Sequence, residues 1–474
     1  MSQNVVEADK PWSIEQHAIE PIPNADRHGS PAELFRLWVG ANVNYVVLIT
    51  GSLAIVQGLS LFESITAILI GNLLGCTTVG FASIMGPKTG TAGIVTTRTS
   101  FGQLGAFLPI FISTLAAIGW FSINSVIATE SLFNLFGMIG LPHNTFVSGA
   151  ALVLVLIAEI LIAIYGHATI IAAEKYGAVV LVLLFLVFAL LVTPQIDFAA
   201  VAAAHKPAKF ATWLLVTGLM FSYPLSWTNF ASDYSRYLPA STSWRSIAFS
   251  AAAGQFVSLV FCEVIGVLFA MALGGALTDP VADLPKVLPA WYLPPFLLAI
   301  IVGSIAANVP NGYTAGLGLL AMRLPMGRVT SMLLIAVLTL AFRIFTLLYG
   351  HAIDLYEQWL GYILIWTGPW ISIVVLDYFM RGGDYSRRDL MIWGGGRYWY
   401  SGGVLWAGVS AFVLGLGASL LFSNSDLFAS PLMTKFLGGT DLSFEAGMLV
   451  SGALYYLLAN HTILGVGALE STRV

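Results

Sequence analysis

Runs of about twenty apolar residues, the length a helix needs to cross a bilayer, recur along the whole chain and limit what it can fold into. Twelve are readable, at about 34–57, 62–84, 106–136, 146–167, 172–193, 211–232, 246–275, 293–322, 328–349, 356–380, 402–423 and 443–464. None alternates apolar and polar with period two, as a barrel strand would. An all-α integral membrane protein with twelve transmembrane helices, spans 1 to 12, is expected. Only 9% of the 474 residues are charged and 58% are hydrophobic, far from the roughly 25% charged of soluble domains. Spans 3, 7 and 8 are long enough to tilt or break.

Lysine and arginine give the orientation. With an even number of spans both termini share a side. That side carries Lys10, Arg27, Arg36, Lys88, Arg98, Lys175, Arg236, Arg245, Arg323, Arg328, Arg381, Arg387, Arg388, Arg397 and Arg473. Only Lys206, Lys209, Lys286 and Lys435 lie opposite, and Arg343 falls inside span 9. The bias places both termini in the cytoplasm and supports the span count, because one missed helix would invert everything after it. Residues 1–30 are polar and the first apolar run is too long for the core of a cleaved leader, so none is expected. The organisation that follows is a cytoplasmic segment 1–32, a transporter core 33–380, a cytoplasmic loop 381–401, two accessory helices over 402–465 and a tail 466–474. Cys76 and Cys262 both fall within spans, where packing is the expected role.

Polar and helix-breaking residues concentrate in four spans. Secondary transporters often consist of two inverted five-helix repeats with binding at the midplane, where paired helices are interrupted. Under that scheme span 1 pairs with span 6, and span 3 with span 8. Span 1 carries Trp38, Asn42 and Asn44, then Thr50-Gly51-Ser52, and span 6 carries Tyr223-Pro224-Leu225-Ser226-Trp227. Pro224 lacks a backbone donor and frees a carbonyl one turn earlier, which lipid tolerates only where it is buried or faces a cavity. In span 3, Trp120 and Asn124 are one helical turn apart and share a face. Asn308 and Asn311 are their counterparts in span 8. An aromatic plate beside carboxamides suits a flat, neutral, hydrogen-bonding ligand such as a nucleobase, since an amide both donates and accepts. Gly71, Gly75 and Gly80 in span 2, and Gly408, Gly415 and Gly417 in span 11, suit close helix packing.

These residues resemble those of the nucleobase–cation symporters, in particular the purine–cytosine permease branch. The resemblance rests on Trp38 to Gly51, on Gly86-Pro87-Lys88-Thr89-Gly90 with Arg98-Thr99-Ser100-Phe101-Gly102, and on Ala231-Ser232-Asp233-Tyr234-Ser235-Arg236-Tyr237. Glu20-Pro21-Ile22-Pro23 with Arg27-His28 is similar to the preamble of that branch. It implies the five-plus-five inverted repeat of the amino-acid/sodium symporters with two further C-terminal helices, and import of a nucleobase such as cytosine or a purine. Carried across, Trp120 would stack on the heterocycle, Asn124 would bond its edge, Asn311 would close from span 8 and Trp227 would supply a second aromatic. Asn308 and Ser226 would be further contacts. The wider family also moves allantoin, hydantoins, nucleosides and vitamins, so a sodium- or proton-coupled permease for such a heterocycle is the alternative.

Sodium-coupled members carry a Ser/Thr pair in span 8 where this chain has Ala306 and Ala307, which favours a co-transported proton over sodium, with no bound metal or other cofactor. Proton coupling needs a titratable group inside the membrane, and Glu159 in span 4 and Glu263 in span 7 are the deepest. Glu130 and Asp377, nearer helix ends, are weaker candidates. Asp233 and Arg236, at the cytoplasmic end of span 6, are expected to form an ion pair or an inner gate. The expected partners are a small-molecule nucleobase and the lipid bilayer, with no nucleic acid, since the basic residues track topology. An enzyme is not expected: the HExxH, GxSxG and Walker A patterns are absent from a catalytic context. A channel would need a polar stripe or charge ring along a pore.

Overall fold

The computed structural model describes residues 17–165, 167–204, 207–275, 277, 279–349, 352–425, 428–437 and 439–471. Lys10, Lys206 and Arg473, used above for orientation, lie outside the described residues, as do the first sixteen positions of the N-terminal segment and the last three of the tail. Helices stand at all twelve expected positions. Among the described residues seven are long and apolar enough to cross a bilayer, or eight when a bent pair is taken as one span. Two shorter apolar helices, Val329–Phe345 and Trp406–Leu421, coincide with spans 9 and 11.

Span 1 is that bent pair. Pro31–Asn42 and Tyr45–Val56 meet at 65°. The break has a local cause: Asn44 is in an extended conformation and its side-chain oxygen accepts from the Val47 amide at 3.1 Å, restarting the helix with an N-cap. Span 6 breaks too. Phe210–Leu225 ends just after Pro224, and the chain continues through a 3₁₀ turn at Thr228–Phe230 into the short helix Ala231–Ser235. Spans 3 (Phe107–Met138), 7 (Trp244–Ala272) and 8 (Leu293–Ala321) are instead continuous, including through Pro310. The expectation of interruptions in all four repeat-related spans is thus corrected to spans 1 and 6. A proline removes one internal bond, and span 8, packed against span 3, remains helical through it.

Helix packing carries the repeat. Span 3 lies on span 8, and span 2 (Leu61–Ser83) on span 7. The second half of span 1 packs on span 7, and span 6 packs on span 2. Span 3 touches spans 4 (Thr145–Tyr165) and 9 (Arg328–Tyr349), and span 8 touches the same two. The first half of span 1 meets span 5 (His167–Val192), and span 6 meets span 10 (Ala352–Met380). Exchanging spans 1 to 5 with spans 6 to 10 maps this set of neighbours onto itself. Span 12 (Ser443–Ser471) packs on spans 10 and 11, outside that scheme.

Small residues set the closest crossings. A methyl on Gly51 would overlap the backbone of Glu263, and one on Gly75 would meet Phe221 and Pro224, so neither position accepts a larger side chain without separating the helices. Both cysteines are buried and free. Arg343 finds its partner in Glu130, tying span 9 to span 3 and giving Glu130 a structural role.

Candidate functional site

The two breaks converge on Trp120. Its ring is 3% exposed and is met edge-on by three aromatics: Tyr223 of span 6 at 5.0 Å, Tyr356 of span 10 at 6.0 Å and Trp359 of span 10 at 6.4 Å between centroids. One turn along, Asn124 donates back to the Trp120 carbonyl at 2.9 Å. Asn311 does the same in span 8, donating to the Ala307 carbonyl at 3.0 Å. Each amide therefore spends its nitrogen on its own helix and keeps its oxygen free. The Trp120 indole nitrogen and the Asn124 and Asn311 side-chain oxygens are buried without a hydrogen-bond partner among the described residues. Leaving a buried polar atom unsatisfied costs about 1–3 kcal/mol. One donor and two acceptors left unpaired on two helices that pack together offer hydrogen-bond partners to a polar ligand.

Asn308 is built differently from Asn311. Its amide nitrogen reaches across to spans 3 and 4, within hydrogen-bond distance of the Phe121 carbonyl at 2.7 Å, the Ser125 hydroxyl at 3.0 Å and Glu159 at 2.9 Å. Ser125 also donates to the other Glu159 oxygen at 2.7 Å. The two asparagines, three residues apart, are thus divided between Glu159 and the open cluster. Glu263 of span 7 accepts from Asn72 of span 2, and its second oxygen has no partner among the described residues. Both glutamates are fully buried.

The span 6 residues are redistributed as well. Trp227 donates its indole N–H to Asn42 at 3.1 Å and packs edge-on against Trp38 at 5.3 Å, on the first half of span 1. Ser226 turns its hydroxyl back to the Tyr223 carbonyl at 2.6 Å. The span 6 aromatic against Trp120 is accordingly Tyr223, one turn before Trp227. Tyr356 and Trp359 were missed altogether. Their only sequence signal is an aromatic pair in span 10, and periodicity says nothing about which distant helix faces them.

Around the helix Gly93–Phe101 the carboxylates of Asp233 and Asp377 are tied into hydrogen-bond networks. Asp233 accepts from the Gly93 amide at 2.7 Å and the Thr314 hydroxyl at 2.6 Å, joining spans 6 and 8 to the helix Gly93–Phe101. Arg236 donates to Tyr313 of span 8 and to the Ala18 carbonyl, both at 2.7 Å. Residues Ile22 and Arg27 of the N-terminal segment bond Gly90 and Pro87, between spans 2 and 3. Arg98, whose guanidinium is lowered to about 10 by burial and then by Arg323, bonds the carbonyls of Ala321 and Leu390 at 2.9 Å. Asp377 accepts from Thr99 at 2.7 Å, Arg381 at 2.8 Å and Tyr455 at 2.6 Å. It thus ties span 10 to span 12.

Paired breaks, a set of helix neighbours that exchanges onto itself and an incompletely satisfied polar cluster where the breaks meet define a secondary membrane transporter of the inverted-repeat class. The chain belongs to the family of permeases for cytosine/purines, uracil, thiamine and allantoin, which it matches over residues 21–445. Family membership makes it a transporter and not an enzyme. It is 28% identical to YxlA of Bacillus subtilis, a protein named as a purine–cytosine permease, over 94% of this chain and 96% of that one. It is 24% identical to the purine–cytosine permease fcyB of Emericella nidulans, over 94% and 88%. The fold is that of Mhp1, a nucleobase-cation-symport-1 family transporter solved in a closed conformation with bromovinylhydantoin bound. The TM-score is 0.78 and the identity 17%, over 94% of each chain. That likeness shows the inverted-repeat fold.

Proposed function

We propose that this permease imports a nucleobase, such as cytosine or a purine, by proton symport across the plasma membrane, with both termini in the cytoplasm. The observation that carries the reading is the buried set of unpaired atoms beside Trp120. Asn124 and Asn311 offer acceptors, the indole nitrogen offers a donor, and the Trp120 ring offers a face for stacking. Base–aromatic stacking contributes roughly 1–3 kcal/mol, and a site whose own amides would be left unpaired rejects analogues lacking the matching edge. The description of the family and the names of the relatives support the substrate class.

Proton coupling is supported by Glu159 and Glu263, each buried in the membrane core among hydrogen-bond donors. Glu159 is joined through Asn308 to the helix that bears Asn311, so a change in its protonation would act on the helix that carries one wall of the site. Ala306 and Ala307 supply no side-chain oxygen. One observation favours sodium as the second reading: the Ser304 hydroxyl is buried without a partner among the described residues. It stands next to Gly303, whose position faces the Val43 carbonyl at the span 1 break.

Uptake of radiolabelled cytosine, adenine, hypoxanthine, uracil and allantoin at two external pH values, with and without sodium, tests both parts. Saturable accumulation that rises with external acidity and ignores sodium is expected. Sodium dependence with pH indifference removes the proton, and accumulation of allantoin alone removes the nucleobase.

A further inference from the structure

Span 1 holds two of the aromatics around Trp120 by their hydroxyls. Asn44, the residue that restarts the helix after the break, donates to the Tyr223 hydroxyl at 3.4 Å. Two turns further, the Thr50 hydroxyl lies 2.6 Å from the Tyr356 hydroxyl. Thr50 also donates to the Val46 carbonyl at 3.0 Å. When that bond uses the Thr50 proton, Tyr356 donates the shorter one. Both groups of that bond are buried. Next to Thr50, Gly51 lies against the backbone of Glu263 so closely that no larger residue fits.

From these contacts we propose that Tyr356 is a positioning residue for substrate. Its hydroxyl anchors span 10 to the second half of span 1, and its ring sets the orientation of the Trp120 plate. Tyr223 fixes a second edge of the same plate through the break itself, but by a longer bond. Tyr356 is therefore the stronger of the two restraints. The chain from Glu263 through Gly51, Thr50 and Tyr356 to Trp120 is continuous. A shift of the second half of span 1 is consequently felt at the stacking surface.

The inference rests on the nucleobase reading of the Trp120 cluster, and the test separates the two. Purified protein and proteoliposomes carrying Tyr356→Phe, Thr50→Val, the double variant, Thr50→Ser and Asn124→Ala are compared with wild type. The readouts are binding of radiolabelled base and the KM and maximal rate of uptake. Tyr356→Phe keeps the ring, Thr50→Val keeps the shape of the side chain and Thr50→Ser keeps the hydroxyl. Elution as a single species in size-exclusion chromatography checks the fold of each. Tyr356→Phe and Thr50→Val are each expected to weaken binding and raise KM roughly three- to tenfold, the range for one buried neutral hydrogen bond. The double variant should lose no more than either single change, because both remove the same bond, and Thr50→Ser should restore wild-type KM. Losses that multiply in the double variant, or a KM unchanged in Tyr356→Phe while Asn124→Ala abolishes binding, overturn the positioning role and leave the site standing. Binding undiminished in Asn124→Ala overturns the site and the inference with it.

Discussion

The core around Trp120 and the layer around Asp377 are both buried and polar, yet they are finished differently. At Asp377 the acceptor oxygens meet Thr99, Arg381 and Tyr455, and Arg381 goes on to Tyr400 at 2.8 Å and to the Thr99 carbonyl at 3.1 Å. At Trp120 the indole nitrogen and two amide oxygens are left without partners among the described residues. A satisfied network stabilises one arrangement, whereas an unsatisfied one stores free energy that a ligand can release. The same chemistry thus builds a fastening in one layer and a binding site in the other.

The contrast can be broken from either side. The largest effect is expected from Asp377→Ala, which leaves Arg381 buried without its ion partner. A loss of about 3–5 kcal/mol should appear as a much lower melting temperature in detergent and poor recovery of monodisperse protein. A variant as stable as wild type would show that the layer does not fasten the fold. Asn124→Ala should do the reverse. It removes an oxygen that has no partner in the protein, so the melting temperature should stay within a few degrees while substrate affinity falls roughly 5- to 150-fold, the equivalent of about 1–3 kcal/mol. A smaller effect is expected from Trp120→Phe, which keeps a stacking face and removes the indole donor. Affinity should fall roughly two- to tenfold, with bases that offer an acceptor at that edge losing more than those that do not. Equal loss for all bases would leave the donor without a role in selectivity.

Much of this architecture is written in residue spacing. The apolar runs locate the helices, the Trp120–Asn124 spacing puts a plate and an amide on one face, and Pro224 with Asn44 marks the two real breaks. Spacing fails where the answer depends on a neighbour. Pro310 signals an interruption, but the helix, packed against span 3, stays continuous. Asn308 and Asn311 look equivalent three residues apart, and only the presence of Glu159 and Ser125 across the interface draws Asn308 away. Trp227 and Tyr223 differ by one turn, and the 65° bend of span 1, invisible in sequence, shows each to a different half of that span. Arg343 reads as an unexplained cation until Glu130 is seen opposite. In each case the missing information is a contact between helices distant in the chain, which local periodicity does not encode.

The central claim is that the unpaired atoms beside Trp120 hold a nucleobase. Equilibrium binding of radiolabelled cytosine, adenine, hypoxanthine and uracil to the purified protein in sodium-free buffer tests it directly, with Asn124→Ala measured in parallel. Saturable binding of at least one base by the wild type, lost in a variant that melts at the same temperature, is the predicted result. Undiminished binding by Asn124→Ala, or no binding of any base by a wild-type protein that transports another compound, would contradict it.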